Sequence, residues 1–95
     1  MEIKKVMRIE TPVQLYRLMD RDLSVFQQCD DAHVESRLQL FYEYVGEYLY
    51  GCRCDEDLNW QRSEREYREL SEDVAVVDRL KDFYGCDRIE FVMPV

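Results

Sequence analysis

Four cysteines and a single histidine are the residues of this 95-residue chain best suited to soft-metal ligation or nucleophilic chemistry. Cys52 and Cys54, joined by Cys29, Cys86 or His33, could in principle supply four ligands to a tetrahedral zinc ion. Cys29 and His33 are four apart, a separation that puts both on one face of a helix. The spacing argues against zinc. Structural sites place two to four residues between paired cysteines, whereas only Arg53 separates Cys52 from Cys54. Cys52 also ends an apolar stripe and Cys86 precedes an apolar strand, and buried free thiols are ordinary. The expectation is core thiols and no metal, with Cys29, His33, Cys52 and Cys54 the candidates were one bound.

Catalysis is the next chemistry to weigh. A nucleophile needs a base that titrates near neutrality, usually histidine. His33 stands beside Asp30 and Asp31, whose negative charge disfavours a thiolate at Cys29. Acids number 21, and nothing in their spacing sets one pair apart as an acid–base couple. Neither a glycine-rich phosphate loop nor a dinucleotide fingerprint occurs. No catalytic residue, no cofactor and no enzymatic activity are expected.

Recognition is better provided for. The segment "FYEYVGEYLYGCRCDED", residues 41–57, carries Phe41 and four of the seven tyrosines, interleaved with Glu43 and Glu47 and followed by an acidic run. Tyrosine joins a large apolar area to a hydroxyl that tolerates water, so it is enriched where proteins meet. Carboxylates pair with Arg and Lys, and aromatic rings stack on guanidinium groups. Glu43, Tyr44, Glu47, Tyr50, Asp55, Glu56 and Asp57 are therefore the candidate partner-binding residues. Filling a core is the commoner use of aromatics. The two uses can coexist if they occupy different faces of one helix.

Charge narrows the partner. The chain carries a net −8, and residues 55–73 hold eight acids against Arg62, Arg65 and Arg68. Nucleic acid and anionic membranes would be repelled, whereas a basic protein would be drawn in more quickly. Acidity also serves solubility. A nucleic-acid mimic needs a carboxylate row with few cations, but thirteen Lys and Arg interrupt the acids here. Steric or mixed blocking of a basic target is favoured over mimicry.

The elements that must position these residues follow from periodicity and punctuation. Residues 3–9 read as a strand. Thr11, Pro12 and Gln14 form a capping box that opens a helix with Leu15, Leu18, Met19 and Phe26 on one side. Val34, Leu38, Phe41, Val45, Tyr48 and Cys52 draw one straight stripe down a long helix, capped by Asp30 or Asp31 and ended by Gly51 in a left-handed conformation. Tyr44 and Tyr50 lie off that stripe with Glu43 and Glu47, on the outward side. After the loop "CRCDED", a helix resumes through Trp60, Tyr67 and Leu70. There Arg62–Glu66, Glu64–Arg68 and Arg65–Glu69 are spaced as a solvent-facing ion-pair ladder. Ser71 reads as a fresh N-cap, with Val74, Val77, Leu80 and Tyr84 on the apolar side of a last helix closed by Gly85. Residues 88–93 read as a closing strand. A crossover between adjacent terminal strands through the helices favours parallel pairing.

The closing segment "DFYGCDRIEFVM" resembles the end of the barstar family of acidic ribonuclease inhibitors, where a helix closes on Gly-Cys-Asp and enters a strand. Size, acidity and an N-terminal strand leading into a capped helix are similar as well. The resemblance implies an antitoxin or immunity-type nuclease inhibitor. The inhibitory segment of that family has no counterpart here, so no residue role carries over.

These readings together give an α+β chain forming one domain over residues 1–95, mostly helical, its terminal strands making a minimal sheet against about four helices. The expected function is a non-catalytic acidic protein-binding module that inhibits a basic, nucleic-acid-handling protein, of a kind at home in viruses and mobile elements. A structural protein homodimerising through the aromatic helix and a small zinc-binding module are the alternatives. Without a visible export signal or an apolar run of about 20 residues, a soluble, cytoplasmic protein with reduced thiols is expected.

Overall fold

Thr11 and Pro12 start the first helix as their chemistry dictates, and the same kind of local capping recurs along the chain. The computed structural model describes residues 5–22, 30–51 and 56–93, with Glu56 described by its backbone alone. Within them the elements run β1 (Val6–Ile9), α1 (Pro12–Arg21), α2 (Ala32–Tyr50), α3 (Glu56–Glu72), α4 (Val74–Tyr84) and β2 (Arg88–Phe91). The α+β architecture expected from the sequence is thus present. Strands β1 and β2 pair in parallel, Val6 opposite Arg88 through Ile9 opposite Phe91. The ladder is closed at its ends by Asp87 N–H to the Lys5 carbonyl and Val92 N–H to the Ile9 carbonyl, both at 2.8 Å.

The caps are close to expectation, with instructive differences. Gln14 N–H donates to Thr11 Oγ1 at 3.1 Å, but the Gln14 side chain accepts from Glu10 N–H rather than from Thr11. Asp31 caps α2, its Oδ1 accepting from His33 and Val34 N–H. Gly51 ends α2 in extended backbone (φ −72°), not the left-handed conformation expected. Glycine is needed there because a Cβ would collide with the Glu47 carbonyl, to which Gly51 N–H is bonded at 2.7 Å. Gly85 does adopt the left-handed conformation (φ 63°) and closes α4 before buried Cys86. Ser71 is not an N-cap. Helix α3 continues through it, its Oγ bonding the Arg68 carbonyl, and the Asp73 carboxylate caps α4 two residues later. Leu80 of α4 is buried as expected, but Val76 is buried beside it in place of Val74, which is 74% exposed.

The core forms where the stripe of α2 meets the other elements. Val34, Leu38, Phe41 and Val45 are buried with Ile9, Leu15, Tyr16, Met19, Tyr67, Leu70, Val76 and Leu80 in one cluster. Phe26 and Cys52, expected to belong to it, lie outside the described residues.

The inner face of α3 departs most from its sequence reading. Tyr67 and Leu70 face the core, and helical pitch carries Asn59, Ser63 and Glu66 inward with them. Glu66, assigned by spacing to a solvent-facing ladder, is 6% exposed. None of the three predicted ladder pairs closes to 4 Å. Glu66 Oε2 instead lies 3.5 Å from Arg37 on α2, an ion pair without a hydrogen bond, and Arg37 bonds Glu69 at 2.6 Å.

Burial, then the neighbouring Glu69 charge, raise the Glu66 carboxyl above its ordinary range, with Arg37 and Arg65 opposing. A folded pKa above the unfolded one favours the folded state below about pH 4.5, and that contribution is lost as pH rises through the folded value. At neutral pH the ionised Glu66 is a cost. Glu66→Gln is therefore expected to raise Tm by roughly 2–4 °C at pH 7, with the gain disappearing near pH 4. Calorimetry at the two pH values checks this; a lower Tm at pH 7 would mean that attraction to Arg37 outweighs burial.

Candidate partner-binding surface

The outward ridge of α2 follows directly from its core stripe. With Phe41 and Val45 buried, Glu43 and Glu47 must point away, and both are exposed. The two tyrosines expected beside them are placed differently. Tyr44 is half-buried on the flank facing α3, with the Arg62 guanidinium carbon 6.0 Å from its ring centroid. Together with Leu58, Gln61 and Arg65 these two line an open groove between α2 and the start of α3. Tyr50 stands on the opposite flank and is 73% exposed.

That flank faces α1. Tyr16 lies across Gly46, where an added Cβ would come 3.6 Å from both its Cε2 and its hydroxyl. Its ring stacks on Tyr42 at 4.8 Å with 18° between planes, and meets Tyr50 at 6.4 Å and 53°. The Tyr42 hydroxyl donates to Asp20 Oδ1 at 2.7 Å. Bonding to Asp20, then to Tyr16, drives the Tyr42 phenol well above its ordinary pKa, because ionising it would add negative charge beside a carboxylate.

Of the seven candidate residues, Glu43, Tyr44, Glu47 and Tyr50 therefore share α2, and exposed Asp57 stands in the first turn of α3. Asp55 and the Glu56 side chain lie outside the described residues, as do Cys29, Cys52 and Cys54. Of the residues weighed as metal ligands, Cys86 is buried ahead of β2, and His33 lies in the first turn of α2. Its Nε2 is 2.6 Å from Asp73 Oδ2, tying the first turn of α2 to the cap of α4. This contact with His33 is the main cause holding the Asp73 carboxyl below its ordinary range. Among the described residues no group of three His, Cys, Asp or Glu side chains could hold a metal ion.

Sequence reasoning missed Tyr16, Asp20 and Arg62. Each reaches the ridge from another helix, and spacing within one helix carries no signal of such contacts. Trp60 is half-buried against Tyr48, ring centroids 4.9 Å apart.

No known family, curated protein or solved structure matches this chain. The likeness of residues 82–93 to the barstar family thus stays local, a helix closed by Gly85 and followed by a strand. No described helix is long and apolar enough to cross a membrane.

Proposed function

We propose that this chain is a non-catalytic, acidic protein-binding module that blocks a basic, nucleic-acid-handling target through the outer ridge of α2. The carrying observation is the exposure of Glu43 and Glu47 beside the largely exposed ring of Tyr50, on a chain of net charge −8. An aromatic on such a ridge supplies contact area at a low cost in side-chain entropy, and the carboxylates supply attraction and register. The engagement of His33 with the cap of α4 gives the histidine a structural role, which supports a non-catalytic reading. Opposite charges speed encounter more than they slow escape, so salt should act chiefly on association.

The test begins with affinity capture from the native host to identify the target, followed by binding kinetics with that purified target. Raising NaCl from about 50 to 300 mM should lower the association rate about tenfold or more, with a much smaller change in dissociation. Glu43→Ala with Glu47→Ala should weaken binding while leaving the fold intact, since both side chains are exposed and neither belongs to the buried cluster. Reversing Glu64 on α3 should matter less. Indifference to both salt and the double substitution would remove the ridge as the interface. If the same double substitution instead turned a dimer into a monomer in sedimentation, homodimerisation through α2 would replace this reading.

A further inference from the structure

We propose that the group seated on this ridge is an arginine side chain of the partner, and that its seat is Tyr50 rather than Tyr44. The inference rests on the acidic-module reading and specifies its central contact. The two tyrosines look equivalent in the sequence, each next to a glutamate or one turn from it. In the structure they differ in whether a cation among the described residues covers them. Tyr44 has Arg62 of its own chain over its ring at 6.0 Å, so its cation–π capacity is in use. The same pair shows that a guanidinium can lie over a ring of this helix. Tyr50 is backed by Tyr16 at 6.4 Å and is otherwise 73% exposed.

Tyr42, Gly46 and Tyr50 follow one another at intervals of four on α2, and the Tyr16 ring lies over Gly46 between the outer two, at a distance where an added Cβ would make ordinary contact at 3.6 Å. Tyr16 is itself held by stacking on Tyr42 and is 6% exposed. Tyr50 is thus braced by a fixed neighbour, and less freedom is lost when a ligand lands on it.

Electrostatics select a cation. Asp20 is bonded to the Tyr42 hydroxyl on this flank. Glu47 stands three residues before Tyr50 and Glu43 seven, so both carboxylates share its side of the helix on the turns below. On the α1 side, Arg21 is occupied by Asp22 at 3.3 Å. A planar guanidinium can stack on the ring while its in-plane N–H groups reach a carboxylate; the ammonium of lysine, a compact and strongly hydrated charge, does this less well.

The probes are three blocked tripeptides, acetyl-Gly-X-Gly-amide with X arginine, lysine or the uncharged isostere citrulline. Each is titrated into the isotopically labelled full chain and followed by NMR. The arginine peptide should shift the Tyr50 ring resonances in a saturable way, the lysine peptide more weakly and the citrulline peptide not at all, with the Tyr44 ring unmoved. Tyr50→Leu keeps an apolar side chain at an exposed position, so its Tm should be unchanged. It should weaken the arginine peptide about two- to fivefold. Larger shifts at Tyr44, or equal responses to arginine and citrulline, would overturn the assignment of the seat. If arginine and lysine peptides perturbed Glu43 and Glu47 equally in the wild type and Tyr50→Leu, the Tyr50 seat would fall and the acidic ridge would stand. If no cationic peptide perturbed any residue of α2, both would fall.

Discussion

Phe41→Ala is expected to cost the fold about 3–5 kcal/mol, measured as the shift in urea-unfolding midpoint at unchanged slope. Phe41 sits midway along the α2 stripe and is 0% exposed, between buried Leu38 and Val45. Its ring packs 6.3 Å from that of Tyr67 on α3. Truncation removes the transfer energy of the ring and leaves a cavity that helices pinned on several sides cannot close. Domains of this size are stable by only about 5–15 kcal/mol, so the variant should be partly unfolded at moderate temperature. A loss under about 1 kcal/mol would mean that the stripe can repack around the missing ring.

That stripe was legible because five of its six residues are apolar and keep strict four-three spacing, which fixes one face of a helix whatever it packs against. The terminal strands were legible because alternation marks them; their parallel pairing followed only if they were neighbours, and that adjacency is a tertiary fact that the structure supplies. The face of α3 was not legible. There Tyr67 and Leu70 set the pitch, but the residues brought inward with them are Asn59, Ser63 and Glu66, whose types suggest solvent. The cations that offset burial of Glu66 are Arg37, on a different helix, and its own neighbour Arg65. The ridge was half legible. Periodicity put Glu43, Glu47 and Tyr50 outside, as found, but could not tell Tyr44 from Tyr50, because Arg62 over the one and Tyr16 behind the other come from outside α2. Ser71 and Asp73 were both chemically competent caps; the choice falls on Asp73, which heads the helix that buries Val76 and Leu80 and receives His33.

Tyr67 carries the other large effect, because it joins the helical layer to a sheet of only two strands. A two-stranded ribbon is marginal without support from packing. Tyr67 is 0% exposed, its ring meets Phe91 of β2 edge-on at 5.9 Å, and its hydroxyl lies 3.3 Å from the Ile9 carbonyl and 3.0 Å from that of Val92. One proton is therefore shared between the ends of both strands. Tyr67→Ala is expected to cost about 3–5 kcal/mol through lost packing. Tyr67→Phe keeps the ring and should cost about 1–2 kcal/mol, since the Ile9 carbonyl retains Val92 N–H whereas the Val92 carbonyl loses its donor. Hydrogen exchange should show that loss concentrated at the amides of β2. Burial, reinforced by the Glu10 charge, pushes the phenol pKa up to about 12. Because this folded value lies above the ordinary one, the stability it contributes is complete below about pH 10 and is lost as pH rises through about 12. The wild type should consequently lose stability between those limits, and Tyr67→Phe should lose less of it. Equal alkaline loss in both proteins, together with an unchanged midpoint at pH 7, would show that the hydroxyl does not hold the sheet to α3.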